Sequence, residues 1–551
     1  MANINQPIFI LPPDTDRFSG KKALKINIMA AKILENIVRT TLGPKGMDKM
    51  LNDSLGDVTI TNDGATILRE MDIAQPAARM LVEIAKKQEE LVGDGTTSVI
   101  VIAGELLSKA EELIEDGIAP SIIIGGYRKA SKKALEIYED ISFDARDEET
   151  LKKVAITAMT GKSSDFAKKH LADLVVKSVL RVADDEFKVE QGSINVQRIN
   201  GDSVEDSFVA EGVIVDKFPI LPSMPEEVKD AKIALVKYPI ELHSLNTSAK
   251  IDLTDPAQMK AFLANEEEMV KDLVQKVIDS GCNVLFCQKG IDEMAENYLN
   301  KAGIMAYKRV PRTDMKRLHK ATGAKIITDI EDLSEDKLGY AGHLYVKKIF
   351  DHKVTCVEQC ENPKATSIIL RGSTRYVTEQ LSRALDDALG VVSATYEEGK
   401  VLVGGGACEI TVVKKLREYG ESVKGREQLS ILAFANALEV IPRTLAENAG
   451  LDTIDLIADL KAAQTDSINM GLNVLEGKVE DMAELGVLEP LKVKTQAIQS
   501  AIEASEMILR IDDMIAAAGA LNSTGPDESG NDNSGMPPMP GGMPGGMPPM
   551  M

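Results

Sequence analysis

Three glycine-rich segments in this chain have the composition of phosphate-handling turns. Thr41-Leu42-Gly43-Pro44-Lys45-Gly46 closes a helical run, Gly93-Asp94-Gly95-Thr96-Thr97-Ser98 opens one, and Gly404-Gly405-Gly406-Ala407 opens another. A helix N-terminus presents unpaired N–H groups and a partial positive charge, which favour an anion. Glycine lets the backbone approach that anion closely. Thr96, Thr97 and Ser98 add hydroxyl donors. Asp94 would repel a phosphate directly, and makes sense as a ligand of Mg2+ lying between the two. Two further carboxylates stand apart: Asp63 in Asn62-Asp63-Gly64, and Asp387 in Leu385-Asp386-Asp387-Ala388-Leu389. Each feature has an ordinary explanation when taken singly. Gly43-Pro44 stops a helix, Asp-Gly-Thr-Thr caps one, Asp63 forms a turn and Asp387 sits on a solvated helix face. Together in one chain the three glycine-rich segments suggest a nucleotide, while composition alone lifts neither Asp63 nor Asp387 above these ordinary readings.

Two familiar nucleotide motifs are missing. Thr160-Gly161-Lys162-Ser163 has the ending of a Walker A loop, but the position of that motif's first glycine is Ile156. No Gly-x-Gly-x-x-Gly occurs. An ATPase built on these segments is neither a P-loop protein nor a dinucleotide enzyme.

The elements that must hold these residues follow from apolar spacing. Leu24, Ile28, Ala31, Leu34 and Val38 predict a helix from Lys21 that stops at Gly43-Pro44. Val58 to Thr61 alternates like a strand, and Asn62-Asp63-Gly64 after it reads as a hairpin turn. Helices are expected from Pro76 to Val92 and from Thr96 or Thr97 to about Glu115, with more between 146 and 180. From about 190 short β-rich runs alternate with helices, as in Gly212–Val215, Ala231–Val236, Asn283–Phe286, Ala324–Thr328 and Ser367–Leu370. Within that region a polar stretch from His243 leads into a long acidic helix, Ala257 to Val277, whose apolar positions include Phe262, Met269, Leu273 and Val277. From Leu381 to the 520s the chain reads as helical, interrupted by Gly404-Gly405-Gly406. The last thirty residues are Gly, Pro, Met, Ser, Asn and Asp, a composition expected to be disordered. Helical, then mixed, then helical fits a helical domain built from both ends around an α/β insertion; three separate beads fit as well.

Composition narrows the function classes. The chain has 551 residues, 64 Lys and Arg against 86 Asp and Glu, and a net charge of −22. Such a polyanion repels nucleic acid. With 4% aromatic residues and no Trp, sugar-stacking and base-stacking platforms are disfavoured. No uninterrupted apolar run of about 20 residues marks a membrane span, and the first residues lack a signal core. Five cysteines (282, 287, 356, 360 and 408) suit free thiols in a reducing compartment, so a cytoplasmic location is expected. Cys356 and Cys360 have no second pair at zinc spacing.

Five segments in order resemble one family. They are Thr41–Met50, Asn62–Ile67, Gly93–Ser98, Gly404–Ala407 and Gly486–Pro490. With them the chain resembles the group II chaperonins, similar to archaeal thermosome subunits and more distantly to eukaryotic CCT subunits. The Gly-Gly-Met repeats of the tail, Pro540 to Met547, point to the archaeal branch. The resemblance implies a multidomain α and α/β chaperonin fold. A mostly helical equatorial domain would comprise 1–146 and 403–521, and a small α/β intermediate domain 147–216 and 368–402. An α/β apical domain would span 217–367, with a helical protrusion at about 243–277, and 522–551 would be the tail. It implies ATP and Mg2+ as cofactors. Leu42, Gly43 and Pro44 would lie beside the nucleotide, Asp94 on the metal, and Gly95, Thr96, Thr97 and Ser98 around the phosphates. Lys162 would approach the γ-phosphate, although Ser163 and Ser164 depart from the more glycine-rich family pattern. Gly405 and Glu489 would face the ribose, and Asp63 and Asp387 would position or activate the attacking water. Phe262 and Met269 are the candidates for client binding. The implied function is an ATP-dependent chaperone, a subunit of a stacked double ring of identical or paralogous subunits. It would capture unfolded protein, close a built-in lid on hydrolysis, and take prefoldin as a further partner. A non-hydrolysing holdase or scaffold of the same fold, and a small-molecule kinase, are the competing readings.

Overall fold

The first helix, α1 (Lys21–Arg39), buries Leu24, Ile28, Ala31, Leu34 and Val38, the stripe its spacing predicts. The structure is a computed structural model that describes residues 16–52, 56, 58–161, 167–241, 256–349, 352–361 and 364–516. Lys162, the expected protrusion before 256 and the 522–551 tail lie outside the described residues.

After α1 come α2 (Gly64–Glu70), α3 (Pro76–Val92), α4 (Thr96–Glu115) and α5 (Pro120–Ile141). Pro76 starts α3, where its missing N–H costs nothing, and left-handed Gly93 ends it. The chain then leaves through α6 (Glu148–Met159) and α7 (Lys168–Val182). It next builds a seven-stranded sheet with α8 (Pro256–Asp279), α9 (Glu293–Lys301) and α10 (Arg312–Thr322). Strands Glu227–Val236, Val284–Cys287 and Met305–Tyr307 of that sheet are parallel, and Gly339–Ile349 joins antiparallel to Glu227–Val236. Both faces are covered: Ile233, Leu235 and Phe286 pack toward α10, while Ala234, Val236 and Leu285 pack toward α8 and α9. Continuous apolar runs such as Ile233–Val236 are what a sheet buried on both faces requires.

The return runs along α11 (Arg375–Glu398), then through α12 (Ala407–Ser422), α13 (Glu427–Leu438), α14 (Val440–Asn448), α15 (Thr453–Ala463) and α16 (Leu491–Leu509). One apolar core joins both chain ends, with Leu34, Leu81, Ile100 and Tyr127 packed among Val412, Phe434, Ile498 and Ile508. A second core, between this body and the large sheet, packs α6, α7 and the first two-thirds of α11 on the strand Thr366–Gly372. Two ends sharing one core exclude the beads-on-a-string alternative for the helical part.

Two expectations are corrected. Asn62-Asp63-Gly64 is not a hairpin turn: Asp63 caps α2 by accepting from Ala65 N and Thr66 N. The hairpin lies just before it, pairing Lys49–Asn52 with Val58–Thr61. The Asx side chain satisfies local N–H groups in either arrangement, so the tripeptide does not choose between them. The span from Leu381 to the 520s is also not purely helical. It contains the hairpin Met470–Asn473 with Lys478–Asp481, and the strand Leu488–Pro490 paired with Lys400–Val403. One stretch, Glu427–Asn448, is long and apolar enough to cross a membrane, but 72% of its most apolar window is buried within the protein, as a core helix would be.

Candidate functional site

The N-terminus of α4 is the centre of the site. Gly93 and Gly95 both adopt left-handed φ, +80° and +87°, and fold the chain sharply from α3 into α4. Gly95 caps α4 without any side-chain bond, so the cap residue's side chain satisfies none of the first-turn N–H groups of Thr96, Thr97 and Ser98. Asp94 accepts from Gly95 N through Oδ1 at 2.6 Å, which fixes its carboxylate beside those donors. From beneath, Gln88 Nε2 donates to the Asp94 carbonyl at 3.1 Å and to the Val493 carbonyl at 3.4 Å, tying the turn to α16.

The start of α2 abuts the start of α4. A Cβ on Gly64 would stand 2.3 Å from Thr97 Oγ1, so only glycine permits the approach. Asp63 is oriented by three donors: Ala65 N at 3.3 Å, Thr66 N at 2.9 Å and Thr66 Oγ1 at 2.6 Å. Asn62 Nδ2 reaches the Gly161 carbonyl at 3.0 Å. Gly161 in turn lies against Pro44, where a Cβ would come 2.4 Å from Pro44 Cα. The 42–44 segment is strapped to α14: Asn448 Nδ2 donates to the carbonyls of Arg39 and Leu42, and Gly43 rests on Leu445. Leu42, Gly43, Pro44, Asp63, Asp94 and Gly95–Ser98 therefore belong to one cluster.

Asp387 reaches this cluster on α11. Gln380 Nε2 of that helix donates to the Ile60 carbonyl at 3.2 Å, just ahead of Asp63. Gly390 meets the Asp94 turn, with its Cα 2.7 Å from where a Gly93 Cβ would stand. Positions 380, 387 and 390 fall within about 80° on a helix of 3.6 residues per turn. Asp387 thus lies between the two contacts and on the same face.

The Gly404–Gly406 loop forms the other end. Gly404 N donates to the Val487 carbonyl, and Leu472 N donates to the Gly405 carbonyl. Gly406 lies on Pro442 of α14, the helix that also carries Leu445 under Gly43. Strand pairing sets Glu489 opposite Leu402, two residues before the loop. Glu489 Oε2 lies 2.5 Å from Lys494 Nζ, and Lys494 reaches Glu409 Oε1 at 2.7 Å. Burial pushes Glu489 up, with the nearby Glu409 carboxylate and Asp94 adding to the rise and the Lys494 ammonium opposing it.

The TCP-1/cpn60 chaperonin family model matches residues 34–518. The chain belongs to this family. It is 58% identical to thermosome subunit alpha of Methanothermobacter thermautotrophicus over 94% of this chain and 96% of that one. To thermosome subunit beta of the same organism it is 55% identical, over 98% and 100%. An open-state monomer of a group II chaperonin from Methanococcoides burtonii superposes with a TM-score of 0.60 at 45% identity, covering 76% of this chain and all of that one. The group II chaperonin resemblance and the multidomain α and α/β chaperonin fold are borne out, and with them a role as a molecular chaperone.

Four of the chaperonin's site residues escaped sequence reasoning. Asn62 and Gly161 are 99 residues apart, and Gln88 meets Val493 across 405. Gly161 stood in plain view inside the false Walker ending; its neighbour Asn62 was read as a turn residue. Phe262 and Met269 lie elsewhere, exposed on α8 at 41% and 59%, while Val270, Val274 and Val277 of that helix face the sheet.

Proposed function

We propose that this chaperonin hydrolyses ATP to drive the capture and folding of non-native proteins. The observation that carries the reading is the course of α11. Its buried face is packed in the middle core, yet it touches the helical body on both sides of Asp387. A catalytic carboxylate delivered by a different body makes hydrolysis depend on how the bodies sit.

The N–H groups of Thr96, Thr97 and Ser98 would cradle phosphate oxygens, with Lys162 as a further cation. Leu42, Gly43 and Pro44 would border the nucleotide, and Gly405 and Glu489 its ribose. Asp94 offers one carboxylate beside a phosphate cradle, the donor set that suits Mg2+ when phosphates and water supply the rest. When bound, Mg2+ would neutralise the charge that builds on the phosphates. Asp63, held by its three donors, and Asp387, facing it from α11, would orient the attacking water and accept its proton.

The rest of the reading rests on exposed surfaces. Met50 and Ile60, paired across the hairpin Lys49–Thr61, and Met47 beside it are exposed apolar side chains, which suits contact with further subunits in a stacked double ring. Phe262 and Met269 would meet unfolded clients, and the 243–277 protrusion would form the lid. Prefoldin is a further partner, and the cytoplasm, where five thiols stay reduced, is the compartment.

The test is Asp387→Ala. ATP binding should stay within about threefold, while phosphate release falls roughly 100- to 10,000-fold, the range for a lost general base. Near-normal hydrolysis in this variant removes Asp387 from the mechanism. Wild-type protein that binds ATP and releases no phosphate would instead be a holdase of the same fold.

A further inference from the structure

We infer that Lys494 is the positioning residue of the nucleoside end: one buried ammonium holds Glu489 where a ribose diol would meet it. The inference rests on the ATP reading above.

Lys494 lies in the first turn of α16, and its side chain is only 11% exposed. Its Nζ is shared between Glu409 Oε1 at 2.7 Å and Glu489 Oε2 at 2.5 Å. The two acids are not equivalent. Glu409, in the first turn of α12, is 2% exposed, and its second oxygen accepts from the Cys408 thiol at 3.1 Å. Both of its oxygens are used inside the protein. Burial works against its charge, but the Lys494 ammonium and the Cys408 thiol outweigh that and hold it down. Burial likewise opposes the charge on Lys494, and the two carboxylates outweigh it.

Glu489 is 27% exposed. Its Oε2 is on Lys494, and its Oε1 stands 2.8 Å from where a Gly404 side chain would begin. The oxygen turned to the glycine loop is the one placed to accept from vicinal hydroxyls. Lys494 therefore ties together the three elements that frame the loop: α12, the strand Leu488–Pro490 and the start of α16. Without it, the buried Glu409 and half-buried Glu489 carboxylates face each other with like charge, and one must take a proton or swing away. Glu489, the less enclosed of the two, is the one free to move.

The experiment compares ATP with 2′,3′-dideoxy-ATP by titration of the full chain in Mg2+ at neutral pH. Wild type should prefer ATP by tenfold or more, as expected for hydrogen bonds to a charged group. Lys494→Met should weaken ATP binding about tenfold and bring the preference within threefold of unity, with KM rising more than kcat falls. Lys494→Met combined with Glu409→Gln removes one uncompensated buried charge. The double variant should regain thermal stability and not the preference, which separates positioning from bulk stability. If either variant keeps the wild-type preference, the inference is overturned. If wild type binds ATP without any preference, Glu489 does not meet the ribose and the inference fails alone. If wild type binds no ATP, the nucleotide reading fails and takes the inference with it.

Discussion

Replacing Gly93 with alanine should uncouple nucleotide binding from hydrolysis. A Cβ at this position would lie 2.7 Å from Gly390 Cα and 3.2 Å from Gly390 C. Carbon atoms in ordinary contact stay about 3.5–4.0 Å apart, so the α3–α4 turn and α11 must separate by roughly 1 Å. The methyl would act between two of the carboxylates that the proposed hydrolysis would use. Asp94 is the next residue after Gly93, and Asp387 lies one turn before Gly390. A displacement of about 1 Å in a catalytic constellation costs on the order of 100-fold in rate. The first-turn N–H groups of α4 remain, so ATP affinity should fall less than tenfold. Gly93 also has φ +80°, where any L-residue costs roughly 1–2 kcal/mol. Gly117→Ala isolates that second effect, since Gly117 has φ +84° and nothing within 4 Å of a built Cβ. Steady-state phosphate release, nucleotide titration and chemical denaturation of both variants form the assay. Both should lose similar stability, and only Gly93→Ala should lose turnover. The reasoning is refuted if Gly93→Ala hydrolyses within threefold of wild type, or if Gly117→Ala loses as much activity as Gly93→Ala does.

Two further outcomes follow from single side chains. Asp63→Ala should destabilise α2 by about 1 kcal/mol and abolish most hydrolysis, whereas Asp63→Asn keeps the cap and loses only the carboxylate; an Asn variant with wild-type phosphate release would reduce Asp63 to a cap. Glu35, buried in α1 against Gly104, is pushed up to about 7 by burial and by Glu105, with Arg39 and Lys32 opposing. The folded chain then holds this proton more tightly than the unfolded chain, whose pKa is near 4.5. Stability therefore falls as pH rises from about 4.5 to about 7, by roughly 3 kcal/mol in all at 1.36 kcal/mol per pKa unit. Glu35→Gln should match wild type near pH 4.5 and exceed it above pH 7 in thermal unfolding; parallel curves at all pH values would show that the charge carries no such cost.

What could be read from the sequence was whatever depends on neighbours in the chain. The helix Pro76–Val92 and the start at Thr96 were legible because a proline, a left-handed glycine turn and an apolar stripe all mark them locally. The strand Leu488–Pro490 was not, because three residues are too few to show a period of two. Asn62-Asp63-Gly64 misled because an Asx side chain serves a turn and a helix cap by the same hydrogen bonds. The site was legible as separate glycine-rich pieces. Their assembly was not, because it runs through contacts such as Gly93 with Gly390 and Lys494 with Glu409, which no window on the sequence spans.

The glycine pair also explains how α11 can serve two bodies. Leu381, Ala384, Leu385, Ala388 and Leu389 fix the helix in the middle core. That core also takes in Val401, Val403, Ala407, Met482 and Leu488, from the segments that carry the Gly404–Gly406 loop, while toward the α3–α4 turn the apolar contact is only the small cluster of Val92, Ala394 and Val493. Displacing α11 from the α3–α4 turn alone therefore exposes little apolar surface, while displacing it from the middle core would expose a great deal. Asp387 is accordingly anchored through α11 to the middle body. Gly93 and Gly390 let that body approach until backbone meets backbone, so a small relative movement changes the separation of Asp387 from Asp63 and Asp94 directly. A larger side chain at Gly93 would hold the two backbones further apart. If the proposed hydrolysis holds, the Gly93–Gly390 contact would make its rate sensitive to domain position, and Asp387 would be the group that reports it.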